Sequence, residues 1–535
     1  MQKTFKKTLS SSLGLLDLVH SFLQSSLIAR RWLTRGLVVS IFLYGLLLLA
    51  VWSDIQHLRE ATSDDLQLIR SDIDAELKRE DNESIAIVNS IQLNSTNSTS
   101  TRAGISFEII TNIKAGASGY CLLKNEATGE EVQVMRVNCS SMRDEIRFNC
   151  RQAADFARVA PQIDALIAAK QQEVKQNEDV QLHPTNGVLM VMYPKLLASV
   201  YSTVRLLRTY NCSLPVELWY LENEMGTNPL NESRVLQSLV KDYGPISLRG
   251  IAEADVDGFN TKVFALVHSE LDQVLFLDAD NSPVRDPTYL FSTPEFVEKG
   301  TIFWPDFWHP MNTIFNINKE SLLWELVGTP YVDMFEQESG QLLIDRRRSD
   351  VALKIVQFLA LRKPDHFERF KLLHGDKDLF RLAWLKTNTS FYMIQTPAAA
   401  AGLVKGKQFC GMTMVQHDPQ GDILFLHHNG KKLIGEEETS KTRVWTHLQS
   451  FVFPKNLASV NVNTNERYEY MATNYHVRIV GGGIFRGFLM CYGDTVMESE
   501  HFKTTSWGDL PFKDLDDQLH DLAQEAGALA EPSAN

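Results

Sequence analysis

The sequence predicts an α/β fold: a mixed, mostly parallel sheet flanked by helices, preceded by a membrane helix and a stem. Three observations carry this. Short apolar runs alternate with helix-length segments from Gly187 onward. One of those runs, Val274–Leu277, ends directly on Asp278-Ala279-Asp280. Near the N-terminus, residues 36–52 form an apolar run without a charge.

The N-terminal elements come first. Lys3, Lys6, Lys7, Arg30, Arg31 and Arg35 precede the run Gly36–Trp52, and Asp54, Glu60, Asp64 and Asp65 follow it. That asymmetry predicts a signal anchor with residues 1–35 in the cytosol and the remaining chain on the lumenal side. A cleaved signal peptide fits less well, because the run starts late and lacks a small-x-small cleavage site. Leu58, Leu66, Ile69, Ile73 and Leu77 recur at helical spacing, which predicts a helical stem able to self-associate, and the stem and linker together span 53–104. Asn-x-Ser/Thr acceptors at Asn82, Asn94, Asn97, Asn138, Asn211, Asn231 and Asn388 suit a lumenal chain. The six cysteines show no metal-binding spacing, so disulfides are expected; were all paired, at least one bridge would join residues before and after 183. Residues 105–182 form an accessory region with strands at Ile105–Ile110 and Glu131–Val137 and a helix at Ala153–Val174.

A catalytic domain over 183–510 follows from the β-α-β rhythm: strand Gly187–Met192, helix Leu196–Tyr210, strand Val216–Tyr220, helix Lys262–Leu271 and strand Val274–Leu277. Further strands are expected at Thr301–Trp304, Gln341–Ile344 and Ile423–Leu426, and an acidic, peripheral tail at 511–535. The net charge of −13, with no basic stripe, excludes nucleic acid as a partner. No GxSxG, HExxH, P-loop or dinucleotide GxGxxG stands in a suitable setting.

Val274–Leu277 is wholly apolar, as in a strand buried on both faces, and Pro283 and Pro287 stop it from continuing. Carboxylates two residues apart at such a strand end converge on a hard cation that takes oxygen ligands. Ligands of open α/β sheets bind at that same edge. An acidic turn is the bland alternative. Arg285 and Asp286 are expected to pair and fix the loop; Trp304, Phe307 and Trp308 are either core or a platform for a sugar.

Ordered pieces of the chain then carry a resemblance: Thr261-Lys-Val-Phe-Ala-Leu, Val274-Leu-Phe-Leu-Asp-Ala-Asp-Asn, Pro283-Val-Arg-Asp-Pro, Phe303-Trp-Pro-Asp-Phe-Trp, Glu338-Ser-Gly-Gln, Gly375-Asp-Lys-Asp-Leu-Phe and Phe425-Leu-His-His-Asn-Gly-Lys-Lys. From Gly187 to Leu433 the chain resembles the fungal-type Golgi α-mannosyltransferase family (glycosyltransferase family 71, typified by a yeast α-1,3-mannosyltransferase) and, distantly, the glycogenin-like transferases. The resemblance implies a GT-A fold, Mn²⁺, GDP-mannose as donor, a mannose-containing glycan as acceptor and retention of configuration. It implies that Asp280 binds the metal, with Asp278 beside it or on the ribose. His427 or His428 would supply a further ligand; His427 has the His-x-x-Gly spacing of the glycogenin-like pattern, although the Lys-Pro-Trp that follows there is replaced by Lys431-Lys432-Leu433. Lys262, Asn281 and Lys431 are expected on the donor side. Asp376, then Glu338, are the carboxylates expected at the reacting sugar, with Asp378 beside them or capping the helix that follows. A UDP-hexose donor, or a non-catalytic glycan-binding scaffold, remain the alternatives.

Overall fold

The computed structural model describes residues 184–430 and, with short gaps, 432–530, together with the helix Cys150–Val174 and five short strands between Ile105 and Phe148. The expected cytosolic tail, membrane span and stem, four of the sequons (Asn82, Asn94, Asn97 and Asn138) and Lys431 lie outside the described residues. No described helix is long and apolar enough to cross a membrane. Asn211, Asn231 and Asn388 are all exposed.

Two sheets organise the domain. The first contains β1 (Asn186–Val191), β2 (Val216–Leu221), β3 (Ile246–Ile251), β4 (Gln273–Leu277), β6 (Thr301–Pro305), β7 (Gln337–Asp345) and β8 (Tyr392–Met393). Its order is β8-β6-β7-β4-β1-β2-β3. Strands β4, β1, β2 and β3 pair in parallel, joined by helical crossovers that include α1 (Leu197–Thr209) and α2 (Asn260–His268). β7 runs antiparallel to both β4 and β6. The sheet is therefore mixed and mostly parallel, as the sequence predicts.

Apolar alternation fixes this register. In β4, Val274 and Phe276 enter one core and Leu275 and Leu277 the other, and all four are fully buried. Each such side chain contributes about 1.5–3 kcal/mol by leaving water. A one-residue slip would exchange the two sets between faces.

The second sheet has eight strands: β5 (Asn281–Pro283), β9 (Ala399–Lys405), β10 (Gln408–His417), β11 (Ile423–His428), β12 (His447–Phe451), β13 (Arg478–Gly481), β14 (Met490–Gly493) and β15 (Phe502–Ser506). Its main path is β5-β11-β10-β9-β12-β15, with β14 on β10. Cys410 and Cys491 form a disulfide between β10 and β14, 81 residues apart, while Cys212 is buried and unpaired. The condition that every cysteine pairs therefore fails. Closing a loop of that length restricts the unfolded chain by about 4–5 kcal/mol in the entropic model. A variant carrying Cys410→Ser and Cys491→Ser is expected to lose stability of that order in urea unfolding at equal m-value.

Two segments differ from expectation. Helix Cys150–Val174 sends Phe156, Val159 and Ile163 into the core on one face of the first sheet, and its Asp155 pairs with Arg362 (2.6 Å) and His366 (2.7 Å). The C-terminal tail, expected to be peripheral, instead forms α5 (Leu515–Ala530). Leu515, Leu519, Ala523 and Ala526 are buried in the second core, and Glu525 accepts hydrogen bonds from Tyr201 and Arg205 on α1, both at 2.6 Å. The acidic composition of this stretch masked an apolar stripe at helical spacing.

Candidate active site

The site is made where the chain passes from the first sheet to the second. Asp278 follows β4 and its backbone N–H donates to the Gly340 carbonyl (2.9 Å), extending the β4–β7 ladder by one bond. Asn281 N–H donates to the Asp278 carbonyl (3.0 Å), and β5 then pairs antiparallel with β11, Asn281 opposite His427. This turn holds Asp278 and Asp280 against the end of β11. Because β7 is antiparallel, its first residues, Gln337 to Gly340, lie at the sheet edge that receives the carboxyl ends of the parallel strands.

Asp278, Asp280 and His427 each offer a ligand atom within 4.8 Å of the others. His427 Nε2 is 3.3 Å from Asp280 Oδ1 and 3.9 Å from Asp278 Oδ2, and its Nδ1 is 3.5 Å from Glu338 Oε1. Lys432 closes on Asp280 Oδ2. Burial pushes the Asp280 carboxyl up, but His427 and Lys432 more than offset this and hold it well below the usual carboxylate range. Burial pushes His427 down, yet Asp280, Glu338 and Asp278 lift it to about 9. Two carboxylates and an imidazole on fixed elements form a donor set that suits a divalent cation, which would take the place of the proton on His427 and the ammonium of Lys432.

Strand alternation distinguishes the two histidines. His428 turns away from the cluster, is buried against Trp445 (ring centroids 4.9 Å apart), and burial pushes it down to about 4. The close approach of His427 to β7 requires Gly340, since a Cβ there would lie 2.5 Å from His427 Nδ1. Gly340→Ala is therefore expected to displace the imidazole and weaken any divalent-cation binding at this cluster roughly 10–100-fold, the range for a disturbed ligand-supporting group, with circular dichroism unchanged.

Beside this cluster lies a second, drier one. Lys262 on α2 is 5% exposed, so it is no solvated helix lysine. Its Nζ lies 3.1 Å from Asp278 Oδ1 and 3.0 Å from Asp376 Oδ2, donates to the Ser339 carbonyl (2.8 Å), and sits 4.8 Å above the Phe276 ring. Burial opposes its charge, but Asp278 and Asp376 raise its pKa above the ordinary value. Burial pushes Asp376 up against the pull of Lys262, and Ser339 Oγ donates to its Oδ1 (3.2 Å).

Other expected residues stand elsewhere. Asn281 is fully buried behind the site, its amide donating to the Gly340 carbonyl (2.8 Å) and to Gln341 Oε1 (2.7 Å). Asp378 precedes α3 (Leu379–Thr387) without a side-chain cap. Its Oδ1 instead accepts from the Gln337 N–H (2.9 Å) and Arg381 Nε (2.6 Å), making it a brace between α3 and β7. Glu338 lies within β7 rather than before it, and its Oε1 accepts from the Gly340 N–H (2.8 Å). Arg285 pairs with Asp418 (2.8 Å) and not with Asp286, which accepts from Thr288 N–H (2.9 Å). Trp304, Phe307 and Trp308 are core.

Sequence reasoning missed one group. Lys377 is buried with Asp306 (2.9 Å) and Glu336, and Thr313 Oγ1 donates to Glu336 (2.6 Å). Burial pushes Asp306 up to about 6 against the opposing charge of Lys377. The available signal was an acid in the aromatic run Phe303–Trp308 and a lysine between Asp376 and Asp378.

Residues 185–418 match the mannosyltransferase family model Mannosyl_trans3. Similar proteins include the α-1,2-mannosyltransferase MNN21 of Candida albicans (23% identical over 338 residues, 53% of this chain and 51% of that protein). Another is the α-1,2-mannosyltransferase MNN2 of Saccharomyces cerevisiae (24% over 275 residues, 44% and 45%). The chain spans about half the length of these curated relatives. Among solved structures, the galactosyltransferase LgtC with donor and acceptor sugar analogues aligns at a TM-score of 0.28 and 17% identity, covering 38% of this chain and 72% of that one. The glycosyltransferase GlyE of Streptococcus pneumoniae aligns at 0.27 and 14%, covering 39% and 45%.

Proposed function

We propose that the protein transfers mannose from GDP-mannose to a mannose-containing glycan, with retention of configuration and with Mn²⁺ held by Asp278, Asp280 and His427. The observation that carries this reading is the convergence of those three side chains beside the Lys262–Asp376 pair; all of these residues except His427 lie in the segment that matches the mannosyltransferase model. A divalent cation bound there would stabilise the charge that grows on the departing diphosphate.

The chain's own residues do the rest. Lys262 holds Asp278 and Asp376 at a fixed separation in a dry site, so neither carboxylate must reorganise when donor arrives. Asp376 is the carboxylate placed to accept hydrogen bonds from the donor sugar's hydroxyls. Glu338 fixes the Gly340 turn and lies against Nδ1 of His427, orienting that ring. Lys432, freed from Asp280, supplies a mobile positive charge at the diphosphate. The charge asymmetry around residues 36–52 and the sequons support a type II membrane protein with its catalytic domain in the Golgi lumen, and the spacing in the stem supports self-association.

The test is nucleotide release by the full chain in detergent, screened over GDP- and UDP-sugars with an α-mannobiose acceptor. Acceptor-dependent release of GDP from GDP-mannose is expected. Release from a UDP-sugar alone would overturn the donor assignment, and silence with all donors would favour the scaffold.

A further inference from the structure

A groove of about 500 Å³ opens between the ends of β6 and β8 and the helix α4 (Asn465–Asn474). That volume is within the range of about 300–1,000 Å³ typical of small-ligand sites. Phe335, Phe391, Tyr392 and Tyr468 supply aromatic wall, and Asp333 and Gln395 supply its polar edge. The Asp333 carboxylate is exposed, accepts from the Tyr468 hydroxyl (3.1 Å), and has Tyr331 beside it. Gln395 donates one amide N–H to the Met393 carbonyl (2.6 Å), which leaves its oxygen and its second N–H for a ligand.

The groove and the site already described are built on neighbouring strands of one sheet. Pro305, which lines it, pairs with Gln337 across β6 and β7, and the next pair is Trp304 with Glu338, whose carboxylate lies against His427.

We infer that this groove binds the acceptor glycan, at neutral hexose units remote from the hydroxyl that receives the sugar. The inference rests on the glycosyltransferase reading of the adjoining site. Charge selects the ligand class: among the described residues the one charged side chain lining the groove is Asp333, which disfavours nucleotides and acidic partners. Aromatic faces present flat apolar surface to the C–H face of a pyranose, and the Asp333 and Gln395 oxygens accept from its hydroxyls. Occupancy would make long acceptors better substrates than short ones through binding alone.

The experiment uses the full chain and compares methyl α-mannoside with α-mannotriose as acceptors. Asp333→Asn, which is isosteric and exposed, and Gln395→Ala are each expected to raise KM for mannotriose about tenfold, the loss expected for one charge-assisted bond. The KM for methyl mannoside and kcat should change by less than about twofold. Equal effects on both acceptors, or none on either, would overturn the assignment. Direct titration of mannotriose by calorimetry separates this from failure of the mannosyltransferase reading. Mannotriose binding that Asp333→Asn weakens supports the groove even if no donor turns over; no binding by the wild-type chain overturns it.

Discussion

Asp280→Asn is expected to lower sugar transfer by about 10³-fold or more while the protein stays folded, because the substitution removes charge but keeps shape. Asp280 is 4% exposed and faces His427 and Lys432 together. In the variant one of the cluster's two carboxylates is gone, and His427 loses the partner that does most to raise it. The wild-type site also has a definite pH response. Raised to about 9, His427 contributes stability that is fully present below its unfolded value near 6.5 and is lost as pH climbs through 9. A cation needs the neutral ring, so Mn²⁺ affinity should rise between those limits in the wild-type chain, with a shallower rise in Asp280→Asn. Turnover assays and Mn²⁺ titrations at a series of pH values check both statements.

A large stability effect is also expected at Lys262. Lys262→Met removes the cation that Asp278 and Asp376 share, leaving Asp376, itself 4% exposed, without its counter-charge. Breaking a buried pair from one side costs about 3–5 kcal/mol, whereas removing both partners costs much less. Lys262→Met should therefore lower the urea midpoint sharply, and adding Asp376→Asn should restore much of the loss. Activity should not return in the double variant, because Asp376 is the carboxylate proposed to contact the donor sugar. A midpoint unchanged by Lys262→Met would contradict the buried pairing.

What could be read from the sequence follows from how local each signal is. The strand Val274–Leu277 and the acids behind it lie within seven consecutive residues, so apolar patterning alone placed Asp278 and Asp280 at a sheet edge. Their meeting with His427 depended on β5 crossing to the second sheet, which a four-residue spacing to Gly430 only hinted at. The Gly340 approach to His427 and the Lys377–Asp306–Glu336 group had no such local mark. Their partners come from separate strands and loops, and an isolated Lys or Glu reads as surface until the fold buries it. The expected Arg285–Asp286 pair failed for the same reason, since the acid that Arg285 finds is 133 residues away. Asp378 was expected beside the reacting sugar or capping α3, but its left-handed backbone (φ 65°) turns the carboxylate toward Gln337 and Arg381.

The most direct measurement of the central claim, that Asp278, Asp280 and His427 make a metal-assisted nucleotide site, is the GDP binding isotherm of the full chain with Mn²⁺ and again after chelation. Binding that tightens at least tenfold with the metal, and does not tighten in Asp280→Asn, is the predicted result. Equal affinity with and without Mn²⁺ in the folded wild-type protein would contradict it.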